Sequence, residues 1–133
     1  MKEQGGGSII NITSPLAFYP VPSLQAYGAA KVALQELTKL WAVELGVLKI
    51  RVNAIAPGPI WSAQLEKIYK TEESRRERDK TIPLGRIGEP QDVGEAAVFL
   101  GSDAARWISG AVLLVSGGYR YDERLDRFIG RNL

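Results

Sequence analysis

The sequence predicts an α/β fold: part of a doubly wound sheet, three parallel strands with flanking helices. Three observations predict it. Residues 8–12, 50–56 and 111–115 are short, mostly apolar runs bounded by turn residues, as expected of covered strands in a parallel sheet. A long helical pattern separates the first two runs, and a shorter one opening at Pro90 precedes the third. Strand, helix and strand in that order form a crossover unit, expected to be right-handed with its strands parallel. The expected spatial order is first, second, third.

Residues 1–7 are polar and glycine-rich. A loop that cradles phosphate follows a strand and opens a helix, whereas Gly5-Gly6-Gly7 precedes a strand and reads as a turn. Thr13 and Ser14 lie at the carboxyl end of the first strand, where open α/β sheets place their ligands. After a loop over residues 18–23, a helix runs from Ser23 or Leu24 to Leu45, with Ser23 as N-cap and Gly46 as stop. Ala30, Ala33, Leu34, Leu37, Leu40 and Trp41 form its apolar stripe, and Tyr27 and Lys31 sit at the stripe's edge. The second strand ends in the turn Pro57-Gly58-Pro59-Ile60-Trp61-Ser62. Residues 63–82 have helical propensity and dense charge, the composition of a solvated helix face. Pro90 suits the first turn of a helix reaching about Gly101, with Val93, Ala96, Ala97 and Leu100 on its buried side. Residues 102–109 form a turn region before the third strand, and residues 119–133 form a charged tail, docked or frayed.

Tyr27 and Lys31 stand four apart on the long helix and therefore share a face. A tyrosine in water titrates near 10, too high for efficient proton exchange at neutral pH, and a neighbouring cation favours the phenolate. Lys31 is such a cation, which makes Tyr27 a candidate general acid or base. A hydroxyl at Ser14 aimed at the same point can hydrogen-bond a carbonyl oxygen as it gains charge. The trio suits moving a proton to or from an alcohol or carbonyl oxygen while another group moves a hydride.

Composition excludes other chemistry. The 133 residues amount to one domain's worth, and an apolar fraction of 45% is ordinary for a globular chain. A net charge of +2 with both signs interspersed gives no pull toward nucleic acid or an anionic membrane. No apolar run approaches the ~18 residues of a membrane helix, and no signal-peptide pattern opens the chain, so the expected location is cytoplasmic. With 0 cysteines, disulfides, thiolate metal sites and thiol nucleophiles are absent. With 0 histidines, Ser14 cannot belong to a Ser-His-Asp triad. No metal site is expected.

Tyr-x-x-x-Lys alone is a weak signal. Combined with Ser14 thirteen residues before Tyr27, the strand ahead and the helix beneath, it resembles the active-site segment of the short-chain dehydrogenase/reductase family. The Pro57-Gly58 loop resembles the family's loop against the nicotinamide end of its cofactor. Arg86-x-Gly-x-Pro, Ile108-Ser109-Gly110 and Val115-Ser116-Gly117-Gly118 resemble its last helix and strand. The resemblance runs from Gly5 to about Tyr119 and corresponds to the second, catalytic half of a Rossmann-like domain.

That resemblance implies an NAD(P)-dependent oxidoreductase interconverting an alcohol and a ketone or aldehyde on a small-molecule substrate, with Ser14, Tyr27 and Lys31 catalytic. It assigns cofactor contacts to Tyr27, Lys31, Pro57, Gly58, Ile60 and Ser62: Lys31 on the nicotinamide ribose, the Ile60 backbone and Ser62 hydroxyl on the carboxamide. Threonine is commoner than serine at the Ser62 position, and aspartate commonly stands where this chain has Ser116. For residues 63–82 the resemblance offers a mobile substrate lid as the alternative to a solvated helix face, and it implies a homo-oligomer through the long helix and the last strand.

The resemblance also implies what is missing. No strand–glycine–helix segment is present to seat the pyrophosphate, nor a residue to choose between NAD and NADP, nor the family's catalytic asparagine. Alone, the chain is expected to bind NAD or NADP weakly or not at all. Its first strand should offer an unpaired apolar edge, so the chain should be an oligomer, pair with a separate amino-terminal half, or be poorly soluble. The alternative is a catalytically silent fragment or module that only assembles with copies of itself.

Overall fold

The computed structural model describes residues 1–19 and 24–119; the expected Ser23 cap and all but the first residue of the charged tail lie outside the described residues. Three parallel strands form one sheet in the order β1 (Gly7–Ile12), β2 (Ile50–Pro57) and β3 (Val112–Val115). Order and direction are those expected from the sequence. The register sets Ile12 against Ile55 and Pro57 against Val115, so the three carboxyl ends lie side by side.

β2 is the buried spine. Val52, Asn53, Ala54, Ile55 and Ala56 are all fully excluded from solvent, and because successive side chains alternate faces, both faces must be covered. On one face Ile55 packs with Leu100 and Ala105, joined by Ile10, Val93, Ala96 and Ala97. Leu100 belongs to the helix α4 (Pro90–Gly101). On the other face the helix α1 (Gln25–Gly46) lies across the sheet, and Asn11 Nδ2 donates to Thr38 Oγ1 at 3.0 Å. Arg51 closes the far end of α4: its guanidinium donates to Leu100 O at 2.7 Å and to Ser102 O at 3.2 Å, satisfying carbonyls that the helix end leaves free.

Leu24 directly precedes α1 and makes no side-chain capping bond. Three local expectations need correction. Gly46 is the last helical residue, not the residue beyond the end; the left-handed position falls on Lys49, at φ 58°. The face of α1 turned to the sheet centres on Gln35 and Thr38, both buried, while Leu37 and Leu40 of the expected stripe are exposed. Two apolar rows run along this helix, and composition alone merged them. Residues 63–82 are two helices, α2 (Ala63–Ile68) and α3 (Glu72–Asp79). Thr71 starts the second, accepting from Ser74 N at 3.1 Å while Ser74 Oγ accepts from Thr71 N at 3.2 Å, a reciprocal cap that favours a fresh start.

Candidate active site

The first side of the site is built on the end of β1. Ile12 is the last residue of that strand, and Lys31 Nζ donates to its carbonyl at 2.9 Å. Thr13 continues the line, both its N–H and its hydroxyl donating to Ile55 O, at 2.7 and 3.1 Å. Tyr27 stands one turn before Lys31, half exposed, with the ammonium 5.5 Å from its ring centroid. Holding one ammonium N–H on a strand carbonyl fixes a flexible lysine and leaves its other donors available.

Ser14 is buried and extended, and caps the short turn Pro15–Ala17 by accepting from Leu16 N at 3.3 Å. Accepting that bond leaves the hydroxyl proton for an outside acceptor. The first turn of α1 packs onto this same turn, since a Cβ on Gly28 would meet Leu16 O at 3.7 Å. Ser14, Tyr27 and Lys31 thus share the carboxyl end of β1.

The second side is built on the end of β2. Gly58 N donates to Val115 O at 2.8 Å, and a Cβ at Gly58 would lie 2.6 Å from Ser116 Cβ and 2.7 Å from Ser116 Cα. Close approach of two backbones, not a left-handed turn, demands glycine there. Ile60 then forms a parallel bridge with Gly88: Gly88 N donates to Pro59 O at 3.0 Å and Trp61 N to Gly88 O at 2.7 Å. In such a bridge the middle residue's own N–H and C=O point the opposite way. Ile60 has no hydrogen-bond partner for either among the described residues. Ser62 is exposed and caps α2, its oxygen accepting from Leu65 N at 3.4 Å, which leaves the hydroxyl proton free. Among the described residues no hydrogen bond joins Ser14, Tyr27 or Lys31 to Gly58, Ile60 or Ser62; what they share is the carboxyl edge of one sheet.

Sequence reasoning missed what holds the second side in place. Arg86 forms a two-pronged bond with Asp92, both at 2.8 Å, and also donates to Ile87 O at 3.1 Å. Asp92 accepts from Glu89 N at 2.6 Å as well. The guanidinium bond, and after it the Glu89 N–H, hold the Asp92 carboxyl down at about 2. The motif Arg86-x-Gly-x-Pro was visible as a pattern, but pairing of Arg86 with a residue six positions on is not a helix spacing and carried no signal. Asn53 was also missed: a polar side chain in the middle of an apolar strand needs partners, and it bridges Ile108 O and Ala111 N.

A larger cavity, about 570 Å³, opens at the other end of the sheet beside Lys49, Arg51, Arg106, Trp107 and Ser109. Size alone would favour it as a site. Two of the groups beside it serve the fold, however: Arg51 bonds the α4 end, and Ser109 Oγ accepts from Val52 N at 3.1 Å. Among the described residues, no group of three or more acidic, histidine or cysteine residues is placed to hold a metal ion, and no helix is long and apolar enough to cross a membrane.

These features define a parallel α/β domain whose carboxyl edge carries the hydroxyls of Ser14 and Ser62, the Lys31 ammonium and the open backbone of Ile60. A family model described as Enoyl-(Acyl carrier protein) reductase matches residues 1–120, and the chain belongs to the short-chain dehydrogenase/reductase family. Over 124 residues it is 45% identical to the 3alpha-hydroxysteroid dehydrogenase of Mediterraneibacter gnavus, an alignment covering 90% of this chain and 47% of that protein. It is 40% identical over 118 residues to the 3-oxoacyl-acyl-carrier-protein reductase FabG of Thermotoga maritima, covering 89% and 47%. A solved 7 alpha-hydroxysteroid dehydrogenase, complexed with NADH and 7-oxo glycochenodeoxycholic acid, superposes with a TM-score of 0.81 at 41% identity, covering 92% of this chain and 48% of that one. The chain spans about half the length of the curated relatives it matches.

Proposed function

We propose that this chain is the catalytic half of an NAD(P)-dependent oxidoreductase that interconverts an alcohol and a ketone or aldehyde on a small molecule. The observation that carries the reading is Lys31 held on Ile12 O with Tyr27 beside it, at the sheet edge that also bears Ser14. In the reducing direction the Ser14 hydroxyl donates to the substrate carbonyl oxygen, and Tyr27 gives that oxygen a proton as it becomes an alcohol. In the oxidising direction Tyr27 takes the proton back. Lys31 stabilises the phenolate that each cycle leaves, and its bond to Ile12 O keeps the cation in position.

A bound nicotinamide would supply or accept the hydride. Its carboxamide fits the residues present, because it carries both a donor and an acceptor and Ile60 offers an unpaired N–H and C=O. Ser62 has a proton to give, Pro57 and Gly58 shape the loop, and the remaining Lys31 donors suit ribose hydroxyls. Nothing in the chain supplies the strand–glycine–helix turn that grips a pyrophosphate, so this half alone should hold NAD or NADP poorly. The proposed compartment is the cytoplasm.

The test is Tyr27→Phe in this chain fused behind the amino-terminal half of a relative. Turnover should fall by about 10²- to 10⁴-fold, with stability changed by less than about 0.5 kcal/mol because Tyr27 is half exposed. A near-normal rate would assign proton transfer to another group. The second reading, a silent self-assembling module, is favoured by the exposed row Leu37, Leu40 and Val43 on α1 and by the open edge of β1. It would prevail if the fused chain bound cofactor and turned over no alcohol or carbonyl.

A further inference from the structure

The loop between α3 and α4 is held from three directions, and each tie leads to Ile60. Arg86 grips the Asp92 carboxylate with two nitrogens and reaches Ile87 O with one of them. The same carboxylate accepts from Glu89 N, so the loop is bound to the first turn of α4 on both sides of Gly88. From the opposite side Asp79 Oδ1, at the end of α3, accepts from Ile87 N at 2.7 Å. Gly88, pinned between these ties, makes both hydrogen bonds of the bridge to the Ile60 segment. The contact is close: a Cβ on Gly88 would lie 2.6 Å from Ile60 Cδ1 and 3.4 Å from Asp92 Oδ2. The Ile60 segment follows β2, and among the described residues this bridge supplies the backbone hydrogen bonds on either side of Ile60.

Resting on the cofactor reading above, we propose that Arg86 and Asp92 are positioning residues. Through Gly88 they set the direction of the Ile60 N–H and C=O so that one nicotinamide carboxamide is taken by both groups at once. Two hydrogen bonds to a single planar amide need a fixed angle between donor and acceptor, and a displacement of about 1 Å is enough to cost most of the benefit of such an arrangement. Neither Arg86 nor Asp92 need touch the ligand. Losing the clamp would leave the loop free to tilt about the bridge, and the carboxamide would then keep one bond at most.

The test uses the 133-residue chain and nicotinamide mononucleotide, which carries the nicotinamide end without the pyrophosphate–adenosine part. Equilibrium dialysis gives its Kd, and hydrogen exchange of the 58–62 segment reports the bridge; both work on an associated chain. Nicotinic acid mononucleotide, which has a carboxylate in place of the amide, is the reference ligand. The parent chain should prefer the amide ligand, and Arg86→Gln and Asp92→Asn should each lose that preference, with about tenfold weaker binding of the amide and unchanged binding of the acid. Thr71→Ala, which removes the α3 cap at a distance from the clamp, should keep the preference even if it lowers stability.

A parent chain that binds both ligands equally would overturn the Ile60 reading itself. A parent with the preference, and clamp variants that keep it while β2 remains protected from exchange, would overturn the positioning role alone. If Arg86→Gln does not fold, Asp92→Asn, which retains an acceptor for Glu89 N, decides.

Discussion

Gly58→Ala puts the sheet-end geometry to its hardest test. The added methyl would sit 2.6 Å from Ser116 Cβ and 2.7 Å from Ser116 Cα, and neither atom is the far end of a flexible side chain. Relief must come from moving the ends of β2 and β3 apart, which strains the Gly58 N to Val115 O bond of 2.8 Å. Overpacking typically costs 1–3 kcal/mol, and because backbone is what must yield, the upper end applies, about 3 kcal/mol. With roughly 2.1 cal/mol/K of unfolding entropy per residue over 133 residues, the melting temperature should fall by about 10 °C. Gly94→Ala is the control: it lies exposed within α4 with nothing inside 4 Å of the new Cβ, so helix propensity should stabilise it by about 0.8–1 kcal/mol, near +3 °C by the same conversion. Thermal unfolding followed by far-ultraviolet circular dichroism, at one fixed protein concentration because association shifts apparent stability, measures both. A Gly58→Ala chain within about 0.5 kcal/mol of the parent, the range of an ordinary surface change, would refute the close approach of the two backbones.

Other outcomes follow from the same contacts. Asn53→Ala, at a fully buried position, leaves Ala111 N without its partner and Ile108 O with only the 3.4 Å contact from Arg51; the change should cost about 1–3 kcal/mol in urea titrations, and a loss below about 0.5 kcal/mol would mean that water replaces the amide. Asp92 has its carboxyl held at about 2 against an ordinary 3.8, so its stabilising contribution is complete above about pH 4 and is lost as pH falls toward 2. Asp92→Asn should therefore flatten the acid limb of a melting-temperature profile between pH 4 and 2, and an unchanged limb would put the acid sensitivity elsewhere. Light scattering of the lone chain should show an oligomer, with no saturable NAD or NADP binding at micromolar concentration; a well-behaved monomer with micromolar affinity would sink that expectation.

The strands, their order and their direction were legible because each rests on local composition plus one chirality rule. So was the grouping of Ser14, Tyr27 and Lys31 on one strand end, since a four-residue spacing on a helix and a position just past a strand fix where residues fall. The inward face of α1 was not legible. Thr38 faces the sheet because Asn11, a strand residue far off in sequence, supplies its partner, and no periodicity in the helix itself encodes that. The break between α2 and α3 was missed for a related reason: Thr71 and Ser74 look like ordinary polar residues in a charged stretch until their backbone bonds are seen. The clamp at Arg86 has no meaning as a bare motif, because its work is to hold Gly88 against Ile60, 28 positions earlier (88 − 60) in the chain, a connection on the scale of the fold.

What separates the two ends of this sheet is how far their polar groups are already engaged. At the amino end the Arg51 guanidinium beside the cavity is spent on the carbonyls at the end of α4, and Ser109 accepts from Val52 N. At the carboxyl end four groups, those of Ser14, Ser62, Lys31 and Ile60, are engaged on one side only. Ser14 accepts from Leu16 N and keeps a proton; Ser62 accepts from Leu65 N and keeps a proton; Lys31 gives one hydrogen to Ile12 O and keeps the others; Ile60 uses its neighbours' backbone for the bridge and keeps its own. A half-engaged group is oriented by the bond it makes and reactive through the one it lacks, which is the condition that preorganised catalysis requires. Complete engagement would leave nothing for a ligand, and none would leave the groups disordered. The carboxyl edge therefore offers a ligand oriented, half-engaged groups, which the cavity of about 570 Å³ at the other end does not match in number.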